Sequence, residues 1–154
     1  MKRRLSAVSQ LATGCFILLV LTAIHHLYGA ILFDTPWRGH VAHIAFVIGL
    51  ALTVCLLFYR FISLFRQPAG WLFLGLAILL PIGWIGFYEG GYNHVIKNGL
   101  YLFTGDSPLW QRLFPPPLYE PPVDFWFEFS GILQFVIAVW CVVIVPRVWQ
   151  QLKA

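Results

Sequence analysis

Histidines and carboxylates are the side chains of this sequence that could carry out chemistry. The chain of 154 residues has five histidines and six acids. The histidines are His25, His26, His40, His43 and His94, and the acids are Asp34, Glu89, Asp106, Glu120, Asp124 and Glu128. Imidazoles and carboxylates together suit a transition metal ion such as iron, copper or zinc, and this set is large enough for a dinuclear site. The three cysteines stand alone in apolar stretches, so we expect small buried residues and not thiolate ligands.

The motif His40-x-x-His43 is one arrangement within this set that could bind a metal ion, although such a pair by itself is a weak signal. Residues three apart share one face of a helix, as a chelating pair of imidazoles requires. Ligands from other parts of the chain could complete one centre or two. The predicted metal ligands are His26, His40, His43, Glu89, His94 and Glu128. Catalysis is assigned to Glu128 and Asp124, with Asp124 either supporting the ligands or accepting a proton.

Two other interpretations of these residues remain open. In the first, the histidines and acids form a metal-free network of ion pairs with Arg38 and Lys97, which water near a membrane surface would make tolerable. In the second, His26 and His43 on facing helices ligate a haem. The carboxylate-rich surroundings suit a haem less well than a metal ion.

Composition determines which elements must position these groups. Of the residues, 60% are hydrophobic and 10% charged, against roughly 25% charged in a typical soluble domain. A soluble fold of this size could not bury so much apolar surface, so the surplus is predicted to face lipid. The formal charge of +4 lies at the ends of the apolar stretches. Because no basic patch with interleaved aromatic residues occurs, a nucleic-acid partner is not expected.

The apolar stretches predict an all-α integral membrane protein, a four-helix bundle formed by residues 1–154 as a single domain. A bilayer needs about 20 apolar residues per helical span. The predicted spans are residues 11–33, 40–59, 71–95 and 124–145. We expect a short turn between the first two spans and a long proline-rich loop between the last two, both on the outer side. The first span is expected to be an uncleaved signal anchor.

Prolines and glycines predict several local features of these spans. Pro81 is expected to kink the third span and Pro146 to close the fourth. Gly90-Gly91 is expected to weaken the far end of the third span. Ser107-Pro108 predicts the start of a short helix in the long loop, with serine as the N-cap.

Lysine and arginine at the span ends predict the orientation in the membrane. One side has seven of these residues and the other has three. The larger set is Lys2, Arg3, Arg4, Arg60, Arg66, Arg147 and Lys153, and the smaller set is Arg38, Lys97 and Arg112. This asymmetry predicts cytoplasmic N- and C-termini in the cell's inner (plasma) membrane. All the histidines and acids then lie in the outward half, facing the periplasm or exterior.

Helical spacing predicts that these polar groups face the interior of the bundle at a similar depth. Small and polar residues recur at intervals of three or four on each span. The stripes are Thr22, His25 or His26 and Gly29; Gly83, Gly86 and Glu89; and Asp124, Glu128, Gly131 and Gln134. Since a carboxylate that faces lipid is costly, we expect one enclosed polar site to which all four spans contribute.

Three functions fit this prediction. The first is a metal-dependent membrane enzyme of oxidoreductase type, acting on a small or lipophilic substrate. The second is a non-enzymatic accessory or assembly subunit of a larger membrane complex, or a homo-oligomer. The third is a proton-coupled transporter, although the inner half offers almost no polar group for a path across the membrane. Whether the chain is an enzyme is left open by the sequence.

Overall fold

The computed structural model describes residues 6–154, and no strand occurs within that range. Four helical stretches are long and apolar enough to cross a membrane, which confirms the predicted number of spans. They are Ala7–Leu32, Pro36–Phe61, Ser63–Thr104 and Phe125–Lys153. The helices are α1 (Ala7–Leu32), α2 (His40–Phe61), α3 (Arg66–Ala77), α4 (Lys97–Thr104), α5 (Pro108–Leu113) and α6 (Phe125–Lys153), with short 3₁₀ turns at Pro36–Gly39 and Ser63–Phe65.

The third span differs most from its prediction. Between α3 and α4, residues Ile78–Ile96 form a wide helix with π-type hydrogen bonds, here named the π-segment. The helix passes through Pro81 and through Gly90-Gly91, and it ends at Gly105, whose φ is +59°. Gly90-Gly91 therefore does not end the span. Neighbouring helices can accommodate proline and glycine in a membrane span, which explains the continuity.

The fourth span also continues past the residue predicted to close it. Helix α6 runs through Pro146 to Lys153. Beyond the proline, Val148 and Leu152 are buried, and Leu152 packs on Gly70 of α3. Burying these two side chains stabilises the last turns by roughly 1.5–3 kcal/mol each, which offsets the missing hydrogen bond of Pro146.

The short helix in the long loop begins where it was predicted, at Ser107-Pro108. Ser107 caps α5, where its hydroxyl accepts a hydrogen bond from the Trp110 N–H at 3.2 Å. Asp124 caps α6 in the same manner, through the Phe127 N–H at 2.8 Å. The loop itself begins after Thr104, because the helix continues beyond residue 95, the predicted end of the third span.

The bundle is built around α6, which packs closely on α1 and on the π-segment. A β-carbon on Gly14 would lie 2.4 Å from the Cys141 sulfur, and one on Gly86 would lie 2.0 Å from the Ala138 β-carbon. Small residues therefore allow these helices to approach closely.

The predicted stripe of Gly83, Gly86 and Glu89 on the third span is only partly correct. A β-carbon on Gly83 would meet only the carbonyl of Ile78 in its own helix, whereas Gly90 packs against α6.

Helix α2 packs on α1 and α3 but diverges from the π-segment. An apolar core fills the half of the bundle that contains the chain ends and the Ser63–Phe65 turn. The cysteines Cys15, Cys55 and Cys141 are buried and unbonded, as predicted. Polar side chains are buried mainly in the opposite half, here named the histidine end because His25, Glu89 and Glu128 lie there.

Candidate metal centre

Glu89 on the π-segment is the point on which three imidazoles converge. Its Oε1 atom lies 3.5 Å from Nε2 of His26, 3.7 Å from Nε2 of His94 and 3.9 Å from Nε2 of His25. The Glu89 side chain is only 17% exposed. Its other oxygen, Oε2, accepts a hydrogen bond of 2.7 Å from the amide of Asn93, which holds the carboxylate in this orientation.

His25 is held by a hydrogen bond that determines which ring nitrogen carries the proton. The Ser130 hydroxyl donates to the carbonyl of Phe127 at 3.0 Å. The His25 Nδ1–H therefore donates to the Ser130 oxygen, at 2.9 Å. The Nε2 atom keeps its lone pair, and it has no hydrogen-bond partner within residues 6–154. His25 Nε2 is therefore unprotonated and faces a carboxylate, and a histidine must have such an unprotonated nitrogen to bind a metal ion.

His94 is oriented in a similar way by a carboxylate. Its Nδ1–H donates to Glu128 Oε2 at 2.7 Å, while Nε2 points towards Glu89. Glu128 also accepts hydrogen bonds from Lys97 Nζ at 2.9 Å and from the Asn98 amide at 2.7 Å. Metal-binding histidines generally donate the second ring N–H to a carboxylate or carbonyl in this manner.

Close helix packing determines where these rings can lie. A β-carbon on Gly131 of α6 would lie 2.2 Å from the His94 ring, so the imidazole occupies the space that this glycine leaves. The His25 ring stacks on Phe127 with ring centroids 4.2 Å apart. Residues four apart along the π-segment face α6, since Ile82, Gly86, Gly90 and His94 are all buried.

The group most compatible with a metal ion comprises His25, His26 and Glu89. One ligand atom of each lies within 4.8 Å of the other two. These residues come from two spans, α1 and the π-segment, and both adjacent imidazoles lie within 3.9 Å of Glu89 Oε1. His94 is outside this group, although its Nε2 lies 3.7 Å from the same oxygen.

A polar cavity of about 220 Å³, here named the vestibule, opens beside this group. Its walls include His26, Glu89, His94 and loop residues 118–120. Arg38 donates to both oxygens of Glu120 at 2.6 Å, and Lys97 donates to the Glu120 carbonyl at 3.1 Å. These contacts hold the loop over the vestibule.

Tyr119 is the vestibule residue whose acidity is most affected by its surroundings. Burial, together with the neighbouring Tyr88, raises the pKa of Tyr119 above its ordinary value. The phenol is therefore neutral at physiological pH and can donate a hydrogen bond to a group in the vestibule.

The pair predicted from the His40-x-x-His43 motif lies apart from the cluster. Both imidazoles are exposed at the start of α2, and their Nδ1–H groups donate to the backbone carbonyls of Trp37 and Gly39. His40 lines the vestibule. Val41 of α2 and Phe127 of α6 also line it, so all four spans contribute to the vestibule, whereas α1, the π-segment and α6 supply the cluster around Glu89. The assignment of His40 and His43 as ligands stays a prediction.

The two residues predicted to act in catalysis have different positions. Glu128 is 8% exposed and bonds His94, as described above. Asp124 is the N-cap of α6 and accepts a hydrogen bond of 3.2 Å from the Tyr28 hydroxyl. Their catalytic roles stay predictions. Of the six predicted ligands, the structure brings together His26, Glu89, His94 and Glu128.

Several residues of the cluster were absent from the predicted ligand set. His25 is the main one, and its spacing from Thr22 and Gly29 was the available signal, because all three are buried on one face of α1. Lys97 was expected as a partner of the acids in the metal-free network, and its side chain is indeed 3% exposed and paired with Glu128. The remaining ones are Asn93, Asn98 and Ser130.

Comparison of this chain with known protein families, with curated proteins and with solved structures finds no match.

Proposed function

We propose that this chain is a metal-binding integral membrane protein in which His25, His26, His94 and Glu89 bind one transition metal ion. The observation that carries the proposal is the convergence of three Nε2 atoms on one carboxylate oxygen, at 3.5 to 3.9 Å. Bonds from a transition metal ion to histidine and carboxylate ligands are about 2.1 Å long. In a tetrahedral site, two ligand atoms at that distance from the metal lie about 3.4 Å from each other. The separations in the cluster lie close to that value.

A metal-free ion-pair network explains the same distances less well. Charge-assisted hydrogen bonds between nitrogen and oxygen are usually about 2.7–2.9 Å long. The pairs around Glu89 Oε1 are longer, whereas the neighbouring pairs of Glu128 have the expected length. Among residues 6–154, the buried His25 Nε2, which faces Glu89, has no hydrogen-bond partner. A network that served only structure would satisfy this atom.

A haem is disfavoured by the packing of the rings. The centroids of His25 and His94 lie 4.7 Å apart, and those of His25 and His26 lie 5.1 Å apart. A porphyrin cannot fit between rings so close together, since its iron must bind one imidazole on each face. His26 and His43, the pair expected for a haem, do not face each other across such a space, because His43 is exposed on α2.

The chemistry we propose is of oxidoreductase type. Nitrogen and carboxylate ligands without thiolates suit iron or copper, and zinc is the redox-inactive alternative. The vestibule gives the centre an approach from water, and Glu128 keeps His94 oriented with Nε2 towards the ion. Glu128 and Asp124 are retained as groups that could exchange protons with the vestibule, with Asp124 the more peripheral of the two.

The first prediction concerns the metal content of the purified protein. We expect about one iron, copper or zinc ion per chain after mild detergent extraction, since a built site binds tightly. The double variant His40→Ala/His43→Ala should retain it, because both imidazoles lie outside the cluster. Elemental analysis with an optical spectrum measures this. Less than about one-tenth of an ion per chain would contradict the proposal, and a metal-free chain with a stoichiometric partner would instead favour an assembly subunit.

We further propose that the histidine end faces the periplasm or exterior of an inner (plasma) membrane, with both chain ends in the cytoplasm. At the opposite end, four basic residues are described: Arg60, Arg66, Arg147 and Lys153. Lys2, Arg3 and Arg4 lie outside the described residues. At the histidine end, Arg38 and Lys97 are paired with acids, which supports the positive-inside assignment.

Reporter fusions to Ala154 test this orientation. A green fluorescent protein fused there should be fluorescent, and an alkaline phosphatase fused there should be inactive, because the phosphatase folds only outside the reducing cytoplasm. Fusion of the phosphatase within the loop at Gly105 is the matched control and should be active. The reverse pattern would show that the histidine end faces the cytoplasm.

A further inference from the structure

A second cavity adjoins the proposed metal centre on the side away from the vestibule. It has a volume of about 50 Å³, and His26 and Glu89 belong to its wall as well as to the wall of the vestibule. We name it the chamber. The rest of its wall comes from α1, α2 and the π-segment, chiefly Thr22, Ile44, Ala45, Ile48, Trp84 and Ile85. The two cavities thus reach the same carboxylate from different directions.

The chamber exists because α2 diverges from the π-segment. The cleft between the two helices is bordered by half-buried Val41 and Ile44 and by Trp84, whose side chain is 41% exposed. Ile44 and Trp84 lie within helices long and apolar enough to cross a membrane, so we expect the cleft to open sideways towards lipid. A molecule dissolved in the bilayer could therefore reach Glu89 without passing the Arg38–Glu120 contact that covers the vestibule.

The wall of the chamber is apolar except at two points. One is the end formed by His26 and Glu89, and the other is the Thr22 hydroxyl. Thr22 is fully buried, and within the described part of the chain its oxygen has no hydrogen-bond partner. A buried hydroxyl without a partner costs roughly 1–3 kcal/mol, which a hydrogen bond to an occupant would recover. Away from the end formed by His26 and Glu89, the apolar wall disfavours a charged occupant, because it cannot replace the hydration of the charge.

We infer that the chamber is the substrate pocket of the proposed metal centre, and that it takes a small, uncharged, largely apolar molecule from the bilayer. This inference rests on the proposed function, since it assigns the substrate class of that same site. A water molecule needs about 10–15 Å³ of such volume, so a space several times larger admits a few non-hydrogen atoms. The Thr22 hydroxyl binds the polar atom of the occupant, and the vestibule supplies water and protons from the other side.

Xenon is a suitable probe, because it is uncharged and binds dry apolar cavities. Crystals of the full-length protein grown in a lipid phase are pressurised with xenon, and anomalous diffraction locates the atoms. We expect a xenon site between Ile48 and Ile85 in the wild-type chain. Ordered water in the chamber with no xenon would overturn the inference, and so would xenon found only in grooves on the lipid-facing surface.

Two matched variants on α2 test the route from the bilayer. In Ile44→Trp, the larger ring narrows the cleft, and xenon occupancy should fall to background. In Val47→Trp, the same side chain replaces a residue that is 62% exposed and lies outside the chamber, so occupancy should be unchanged. Equal occupancy in the two variants would overturn the lateral route. The wild-type result does not depend on whether Ile44→Trp folds.

Metal content and spectra separate this inference from the proposed function. Both variants should retain the metal ion, and xenon pressure should shift the optical or EPR spectrum of the ion in the wild type and in Val47→Trp. The shift is expected because His26 and Glu89 line the chamber. Metal binding without xenon in the chamber overturns the inference alone. Xenon binding in a chain that binds no metal overturns the proposed function, together with the substrate role of the pocket.

Discussion

Replacement of Glu89 with glutamine is expected to lower the metal content from about one ion per chain to below about one-tenth. The substitution keeps the size of the side chain but removes the anionic oxygen on which the Nε2 atoms of His25, His26 and His94 converge. A neutral amide is a poor ligand for iron, copper or zinc. Loss of a supporting residue outside the coordination sphere usually lowers affinity by about 10–100-fold, so a larger loss identifies Glu89 as a ligand.

Asp106→Asn provides the matched control for this experiment. Asp106 is an exposed loop carboxylate that accepts a hydrogen bond from Gln111, and its loss of charge should leave the metal content unchanged. Elemental analysis of both purified variants, with far-UV circular dichroism to verify helix content, makes the comparison. A Glu89→Gln protein that retains a full equivalent of metal would exclude Glu89 from the ligand set and remove the main support for the proposed centre.

Replacement of Lys97 with methionine is expected to destabilise the folded protein by about 3–5 kcal/mol, the usual cost of breaking a buried ion pair. The Lys97 side chain is 3% exposed and the Glu128 side chain is 10% exposed, so water screens their contact only slightly. Without the ammonium group, Glu128 would keep its hydrogen bonds with His94 and Asn98 but would lose the cation that pairs with it.

Thermal unfolding in detergent measures this effect through the reactivity of the three buried cysteine thiols, which are free and become accessible on unfolding. Lys153→Met is the matched control, because Lys153 is exposed at the other end of the bundle, with its ammonium group over the Trp149 ring. The double variant Lys97→Met/Glu128→Gln should recover part of the loss, since no unpaired charge remains. A Lys97→Met protein as stable as Lys153→Met would show that the pair contributes little.

The spans were predictable because hydropathy is a local property of the chain. An apolar stretch of sufficient length must form a helix in lipid to satisfy its backbone hydrogen bonds, whatever its neighbours are. Helix ends were less predictable, since they depend on packing. Pro146 lies inside α6 because Val148 and Leu152 find partners beyond it.

The faces of the helices were predictable where the backbone is a regular α-helix. On α6, the predicted stripe of Asp124, Glu128, Gly131 and Gln134 is buried at its last three positions, in agreement with spacing of three and four, whereas Asp124 is the half-buried N-cap. On the π-segment, the predicted stripe of Gly83, Gly86 and Glu89 was only partly correct, because the buried positions facing α6 recur every four residues from Ile82 to His94. Glu89 and His94, five residues apart, also come close, with 3.7 Å between Glu89 Oε1 and His94 Nε2, since a helix with hydrogen bonds to the fifth residue has more residues per turn. Propensity and periodicity do not reveal a wide helix in advance.

The sequence by itself determined that four apolar helices carry a small set of imidazoles and carboxylates in one half of the molecule, because charge that enters lipid must be enclosed. Only the tertiary structure decided which of those groups meet. The divergence of α2 leaves His40 and His43 exposed, and the close approach of α6 brings His94 to Glu128. Such choices depend on how helices pack across long sequence distances, and no local pattern encodes the angle between two helices.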